Sequence, residues 1–218
     1  MMTQIIKVLV VDDSAYVRKV VRQMLSRSPF IEVVGAARDG KEALELVEQL
    51  RPDVVTCDLM MPELDGVGFV REQMRRRPVP IVIVSIASRS GETALAALDA
   101  GAIDFVRKPT ALATEKVLEI SDELIEKVKA VAAAPLRGLL IASPPALPPL
   151  LARAATRVDI VVIGISTGGP QALKYLIPQL PADFPVPVAM VLHMPVGYTE
   201  LYARSLDNLS PLRVVEAR

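Results

Sequence analysis

DVVTCDLMMPELDG, residues 53 to 66, decides the fold. Val54 to Cys57 form a short apolar run after Pro52-Asp53, and Asp58 follows it. Met61-Pro62 and Asp65-Gly66 then break the chain, as residues of these types do at turns. The pattern predicts a buried strand ending in a carboxylate, Asp58, exposed at the strand's C-terminal edge. In open α/β sheets that edge is where ligands bind.

A second apolar run, Lys7 to Val11, also ends in carboxylates, Asp12 and Asp13. If the two strands are parallel neighbours, three carboxylates converge at one end of a sheet. Such a cluster repels itself unless compensated, which points to a hard divalent cation, Mg²⁺, on oxygen ligands. Two further strand ends fit the same edge: Ile81 to Val84 leads to Ser85, and Ile103 to Val106 leads to Lys108-Pro109. A hydroxyl and an ammonium beside a metal-bound carboxylate suit phosphoryl transfer onto Asp58, because both neutralise phosphate oxygens.

Helical spacing fills the gaps between these runs. Ser14 is a good N-cap for a helix carrying Val17, Val20, Val21, Met24 and Leu25. Ile31 to Ala36 reads as a strand, and Asp39-Gly40 starts a helix with Ala43, Leu44, Val47 and Leu50 on one face. Helices are also expected at Gly66 to Arg77, stopped by Pro78 and Pro80, and at Ser90 to Ala100, stopped at Gly101. A fifth runs from Thr114 to Ala130. Five strand–helix alternations predict a doubly wound (βα)₅ domain over residues 1–130.

Asp12-Asp13, Asp58, Ser85, Phe105 and Lys108-Pro109, in that order, resemble the receiver domain of two-component response regulators. The resemblance covers about residues 5 to 130. It implies Asp58 as phosphoacceptor, with Asp12, Asp13, Asp58 and the Met60 carbonyl holding Mg²⁺. It also implies Ser85 and Lys108 as phosphoryl-binding groups and Phe105 as the aromatic rotor that reports phosphorylation.

The pattern stops at residue 131. Residues 131–157 carry prolines at 135, 144, 145, 148 and 149, which neither continue a helix nor donate to a sheet, so an extended interdomain linker is expected. Residues 158–218 restart the alternation. Asp159 to Ile165 reads as a buried strand and Gly169 to Leu176 as a helix. Val186 to Leu192 reads as a strand, Tyr198 to Leu206 as a helix, and Pro211 to Glu216 as a third strand. About 60 residues make a marginal core, so the chain is expected to stop inside a second parallel-sheet α/β domain.

Gly164-Ile165-Ser166-Thr167-Gly168 reads as G-x-S-x-G, a strand-to-helix elbow that exposes a serine oxygen. No Lys-Ser or Lys-Thr follows, so it is not a phosphate loop. His193 is the only histidine and closes the next strand, where imidazole could take the Ser166 proton. IGISTGGPQAL and LHMPVGYT, behind a receiver and a linker, resemble the chemotaxis protein-glutamate methylesterases of the CheB family. The resemblance implies Ser166 as nucleophile, His193 as general base and Thr167 as an active-site neighbour. It implies hydrolysis of methyl-glutamate esters on chemoreceptor cytoplasmic helices, with glutamine deamidation as a second reaction, uncovered when a chemotaxis histidine kinase phosphorylates the receiver. The family's third triad member, an aspartate downstream of the histidine, has no counterpart here. Asp207 and Glu216 match no such motif and read as surface residues. Two readings stay open: a phosphorylation-gated methylesterase, here truncated, or a non-catalytic phospho-receiver module that binds kinase or receptor.

Composition sets the outer limits. Hydrophobic residues make up 51% and aromatic ones 4%, an aliphatic balance suited to parallel sheets covered by helices. Lys plus Arg and Asp plus Glu are 25 each, so charge gives no argument for nucleic acid, and no recognition helix follows the linker. Arg75 to Arg77 read as a solvated helix end. Cys57, the single cysteine, reads as a buried core thiol. With no signal-peptide pattern and no bilayer-length apolar segment, a cytoplasmic protein without membrane insertion is expected.

Overall fold

The computed structural model describes residues 5–85, 91–108, 114–133, 158–194 and 197–217. Strand and helix alternate through β1 (Ile6–Val11), α1 (Ala15–Leu25), β2 (Ile31–Ala37), α2 (Gly40–Leu50), β3 (Val54–Cys57), α3 (Gly66–Arg76), β4 (Ile81–Ser85), α4 (Gly91–Asp99), β5 (Asp104–Arg107) and α5 (Thr114–Ala133). The sheet order is β2-β1-β3-β4-β5, with every pair parallel. This is the expected doubly wound (βα)₅ domain. The central strands β3 and β4 are buried at every position, as strands covered on both faces must be. One face packs on α1 and α5 through Val21, Leu25, Leu124 and Val128. The other carries Val47, Phe69 and Leu98 from α2, α3 and α4.

Local chemistry explains the helix ends. The Ser14 hydroxyl accepts from the Val17 N–H at 3.4 Å, Asp39 Oδ1 from Glu42 N–H at 2.9 Å, and Asp65 Oδ1 from Gly68 N–H at 2.7 Å, each satisfying a donor of a first helical turn. In the last turn of α3, Arg75 and Arg76 ion-pair with Glu72 and hold its carboxyl down at about 2. Arg77 instead donates to the Val47 carbonyl at 2.9 Å and joins α3 to α2, so only the first two arginines form a solvated helix end. Helix α5 runs to Ala133, and Val131 is fully buried, so the fifth helix continues past its expected end at Ala130. Residues 134–157, the rest of the expected linker, lie outside the described residues.

The second unit begins with β6 (Val161–Ile165), α6 (Gly169–Leu176), a short 3₁₀ turn at Ile177–Gln179, β7 (Val188–Leu192) and α7 (Thr199–Asp207). Strands β6 and β7 pair in parallel, with Ile163 opposite Met190 and Ile165 opposite Leu192. Two expectations are corrected here. The strand at Asp159–Ile165 is not buried throughout: Val162 is 65% exposed, because α6 covers only one face of the pair. Pro211 to Glu216 is not a strand. Pro211 offers no N–H to a ladder, and the Val214 N–H donates to Asp207 Oδ1 at 2.7 Å instead.

The two units share a core. Leu173, Ile177, Tyr198, Tyr202 and Leu206 join the cluster that contains Leu98, Ala102 and Phe105. The Gln171 side chain donates to the Leu98 and Ala102 carbonyls at the end of α4, and Lys174 pairs with Asp99.

Candidate functional site

Two clusters sit at strand C-termini. In the first, β1 pairs with β3 in register, Val11 opposite Cys57, so the residues that follow each strand meet. Asp12, Asp13 and Asp58 offer carboxylate oxygens within 4.8 Å of one another. Lys108, arriving from β5, lies 2.6 Å from Asp12 and 2.7 Å from Asp58. Asp58 is 4% exposed, which corrects the expectation of an exposed carboxylate. Its strand end is capped by the Lys108 ammonium, and its Oδ1 accepts the Leu59 N–H at 2.7 Å. Gly66 lies so close behind that a Cβ would stand 2.2 Å from the Asp58 carbonyl oxygen, so no larger residue fits the turn as it stands.

The electrostatics follow from burial. Asp12 is lifted above the usual aspartate range by burial, with the Lys108 ion pair pulling the other way. For Lys108, burial acts to lower the ammonium, but the bonds to Asp12 and Asp58 outweigh it and hold the group above its ordinary value. One ammonium against three carboxylates leaves a net negative, all-oxygen donor set, which suits a hard divalent cation. Asp13 is exposed and could face such an ion, and Met60 is 63% exposed at the mouth. Ser85 is buried at the end of β4, and the Lys108 N–H donates to its carbonyl at 2.7 Å. Cys57 is a buried thiol donating to the Asp58 carbonyl at 3.1 Å, and burial pushes its pKa well up.

In the second cluster, β6 ends at Ser166 and β7 at His193, and the His193 N–H donates to the Ile165 carbonyl at 3.2 Å. Ser166 Oγ lies 3.4 Å from His193 Nδ1, and the pair is exposed. The elbow closes through Gly168, whose φ of +76° favours glycine. Thr167 follows Ser166, half-buried. Among the described residues no carboxylate pairs with His193. Asp207 is bound to the Val214 N–H, and Glu216 accepts from Thr199.

Between the clusters lie groups of which sequence reading singled out Phe105 but not its partners. The Phe105 ring stacks at a tilt on Tyr198, with centroids 4.8 Å apart. Lys127 and Asp104 form a buried pair beside it at 3.0 Å. A signal for the pair was present: a lysine on the helical stripe of Leu124, Val128 and Val131, and an aspartate inside an apolar strand run.

The (βα)₅ sheet with three carboxylates and a lysine at one edge defines the class of protein. Residues 8–119, more than half of the chain, match the response regulator receiver domain family, and the chain belongs to that family. Residues 161–218 match the CheB methylesterase family. A protein-glutamate methylesterase/protein-glutamine glutaminase of Myxococcus xanthus is 52% identical over 215 residues, 97% of this chain and 62% of that protein. A Symbiobacterium thermophilum protein named for the same two activities is 48% identical, over 98% of this chain and 63% of its own length. The chain thus spans about three-fifths of the length of these relatives. Among solved structures, the response regulator domain of Thermotoga maritima CheB is similar, with a TM-score of 0.55 and 36% identity over 61% of this chain and 99% of that domain.

Proposed function

We propose that this chain joins a phosphoryl-accepting receiver to the nucleophile-bearing part of a protein-glutamate methylesterase. Asp58 is the acceptor, and Ser85 and Lys108 bind the phosphoryl oxygens. Asp12, Asp13, Asp58 and the Met60 carbonyl would hold Mg²⁺, which when bound neutralises charge on the transferring phosphoryl group. The phosphodonor is a chemotaxis histidine kinase. The substrates are methyl-glutamate esters on chemoreceptor cytoplasmic helices, with glutamine side-chain amides as a second substrate. The residues between the end of α5 at Ala133 and Val158 serve as the linker between the domains, and the site of action is the cytoplasm; among the described residues no helix is long and apolar enough to cross a membrane.

The observation that carries the esterase half is the 3.4 Å approach of Ser166 Oγ to His193 Nδ1. As Oγ attacks the ester carbonyl, His193 takes its proton and then gives it to the departing methanol. Water, deprotonated by the same ring, then releases the carboxylate from the acyl-serine. Thr167 borders the attacking oxygen.

Fluorophosphonate labelling tests this without needing the receptor. Ser166 should be labelled, Ser166→Ala should not, and His193→Ala should slow labelling by about 100-fold or more, the usual yield of a general base. Equal labelling of wild type and His193→Ala would sink the base assignment. No labelling of wild type would favour the non-catalytic signalling module.

A further inference from the structure

Lys127 has no part in either cluster, yet it is 3% exposed in the middle of α5. Its Nζ lies 3.0 Å from Asp104 Oδ1 and 3.2 Å from Glu123 Oε1, and donates to the Phe105 carbonyl at 2.8 Å. It also stands 5.7 Å from the Phe105 ring centroid. Asp104 Oδ1 in turn accepts the Phe105 N–H at 2.7 Å. Strand β5 is the edge of the sheet, so the outward N–H and C=O of Phe105 have no neighbouring strand to bond. The Lys127–Asp104 pair takes the place of that missing strand at this one residue.

Stability alone is a poor reason to bury such a pair. Well-packed apolar residues in its place are often neutral or better, whereas removing one partner leaves an uncompensated charge. What distinguishes the pair is its position. Three residues beyond Phe105, just past the end of β5, Lys108 grips Asp58 and Asp12. On Phe105 itself, the ring meets Tyr198 of the second unit. The pair therefore holds the backbone between the residue that senses Asp58 and the ring that touches the second unit.

We propose that Lys127 and Asp104 are positioning residues that pin the Phe105 backbone at the sheet edge, so that rearrangement around Asp58 reaches Tyr198 as movement of the Phe105 ring. Without the pin, β5 would absorb the change by sliding along its free edge. This rests on Asp58 being the phosphoacceptor.

The full chain is labelled with 3-fluorotyrosine, and the Tyr198 fluorine resonance is assigned by its loss in Tyr198→Phe. Spectra are taken with Mg²⁺, with and without beryllofluoride as the phosphoryl mimic. Wild type should show a shift of the Tyr198 resonance on beryllofluoride binding. The double variant Lys127→Met with Asp104→Leu removes both charges together, and with them both side-chain hydrogen bonds to the Phe105 backbone. It should bind beryllofluoride with unchanged affinity yet lose most of that shift, and Lys127→Arg should retain it. If the double variant unfolds, Asp104→Ala alone tests the same pin: it takes the acceptor away from the Phe105 N–H and should lose much of the shift, while Lys127 keeps Glu123 as its ion partner. A full wild-type shift in a folded variant overturns the proposal, as does beryllofluoride that binds wild type without moving Tyr198. Failure of beryllofluoride to bind wild type removes the phosphoacceptor reading and the proposal with it, and the two failures are told apart by the binding isotherm.

Discussion

The five-stranded sheet and the two-stranded sheet are built from similar apolar runs, yet they are buried differently. In β3 and β4 every residue is buried, with helices on both faces. In β6 and β7 the faces differ: Ile163 and Met190 pack against the shared core, while Val162 and Val191 are each 65% exposed. The receiver therefore closes its own core, and the second unit borrows one. Its buried residues Leu173, Tyr198 and Tyr202 pack in the same cluster as Leu98 and Phe105 of the receiver. Chemistry follows the same division. The acidic site has its counter-charge in place, whereas His193 has a serine on one side and no carboxylate among the described residues on the other.

Asp58→Asn gives the largest expected effect, since it removes the one group on which the receiver's self-sufficiency depends. Acyl-phosphate formation from a small-molecule donor should need Mg²⁺ and should vanish in the variant, because an amide cannot form the acyl phosphate. Fluorophosphonate labelling of Ser166 should persist in the unphosphorylated variant at the unphosphorylated wild-type rate. Undiminished acyl-phosphate in Asp58→Asn would place the acceptor elsewhere.

A core truncation in each region comes next. Phe69→Ala in α3 should cost about 3–5 kcal/mol and Leu173→Ala in α6 about 2–5 kcal/mol, the range for emptying buried sites. Their signatures should differ. Phe69→Ala should lower protection from hydrogen exchange throughout residues 5–217, because the second unit leans on the receiver. Leu173→Ala should lower it in residues 161–217 and leave β1, β3 and β4 protected. Equal loss across the receiver in Leu173→Ala would show that the two regions fold as one cooperative unit.

These differences mark what the sequence could disclose. The receiver was legible because each strand end carries its own chemistry: Asp12, Asp58, Ser85 and Lys108 each follow an apolar run, and a parallel sheet brings such ends together. Asp58 was misjudged only in exposure, since its burial depends on Lys108, 50 residues further on, and no local pattern reports that. Residues 211 to 216 carry strand-favouring Leu212, Val214 and Val215, but composition says nothing of a partner to pair with, and the backbone bonds Asp207 instead. The contact between the units was hidden for the same reason. Gln171, Lys174 and Tyr198 have unremarkable neighbours in sequence, and their partners lie on α4, just after it, and on β5.

Tyr202 carries the smallest expected effect and separates the regions by pH. Its hydroxyl donates to the Pro170 carbonyl at 2.5 Å inside the shared core. Burial, with Asp99 nearby as a second cause, raises its pKa above the ordinary value of 10. A phenol that holds its proton more tightly when folded adds stability that is fully present below the unfolded pKa and is lost as pH rises through the folded one. Lys108 has the same sign in the receiver, from its pairs with Asp12 and Asp58, with the loss beginning above its ordinary 10.5. Both regions should therefore weaken in alkali. Tyr202→Phe should cost about 0.5–1.5 kcal/mol near neutrality for the lost hydrogen bond, and it should flatten the alkaline decline of the second unit alone. Hydrogen exchange on residues 161–217 and on β1, β3 and β4, compared at about pH 9 and pH 11, on either side of the ordinary phenol range, reads the two regions separately. A decline in the second unit that is as steep in Tyr202→Phe as in wild type would assign that pH sensitivity to the receiver, transmitted through the shared core.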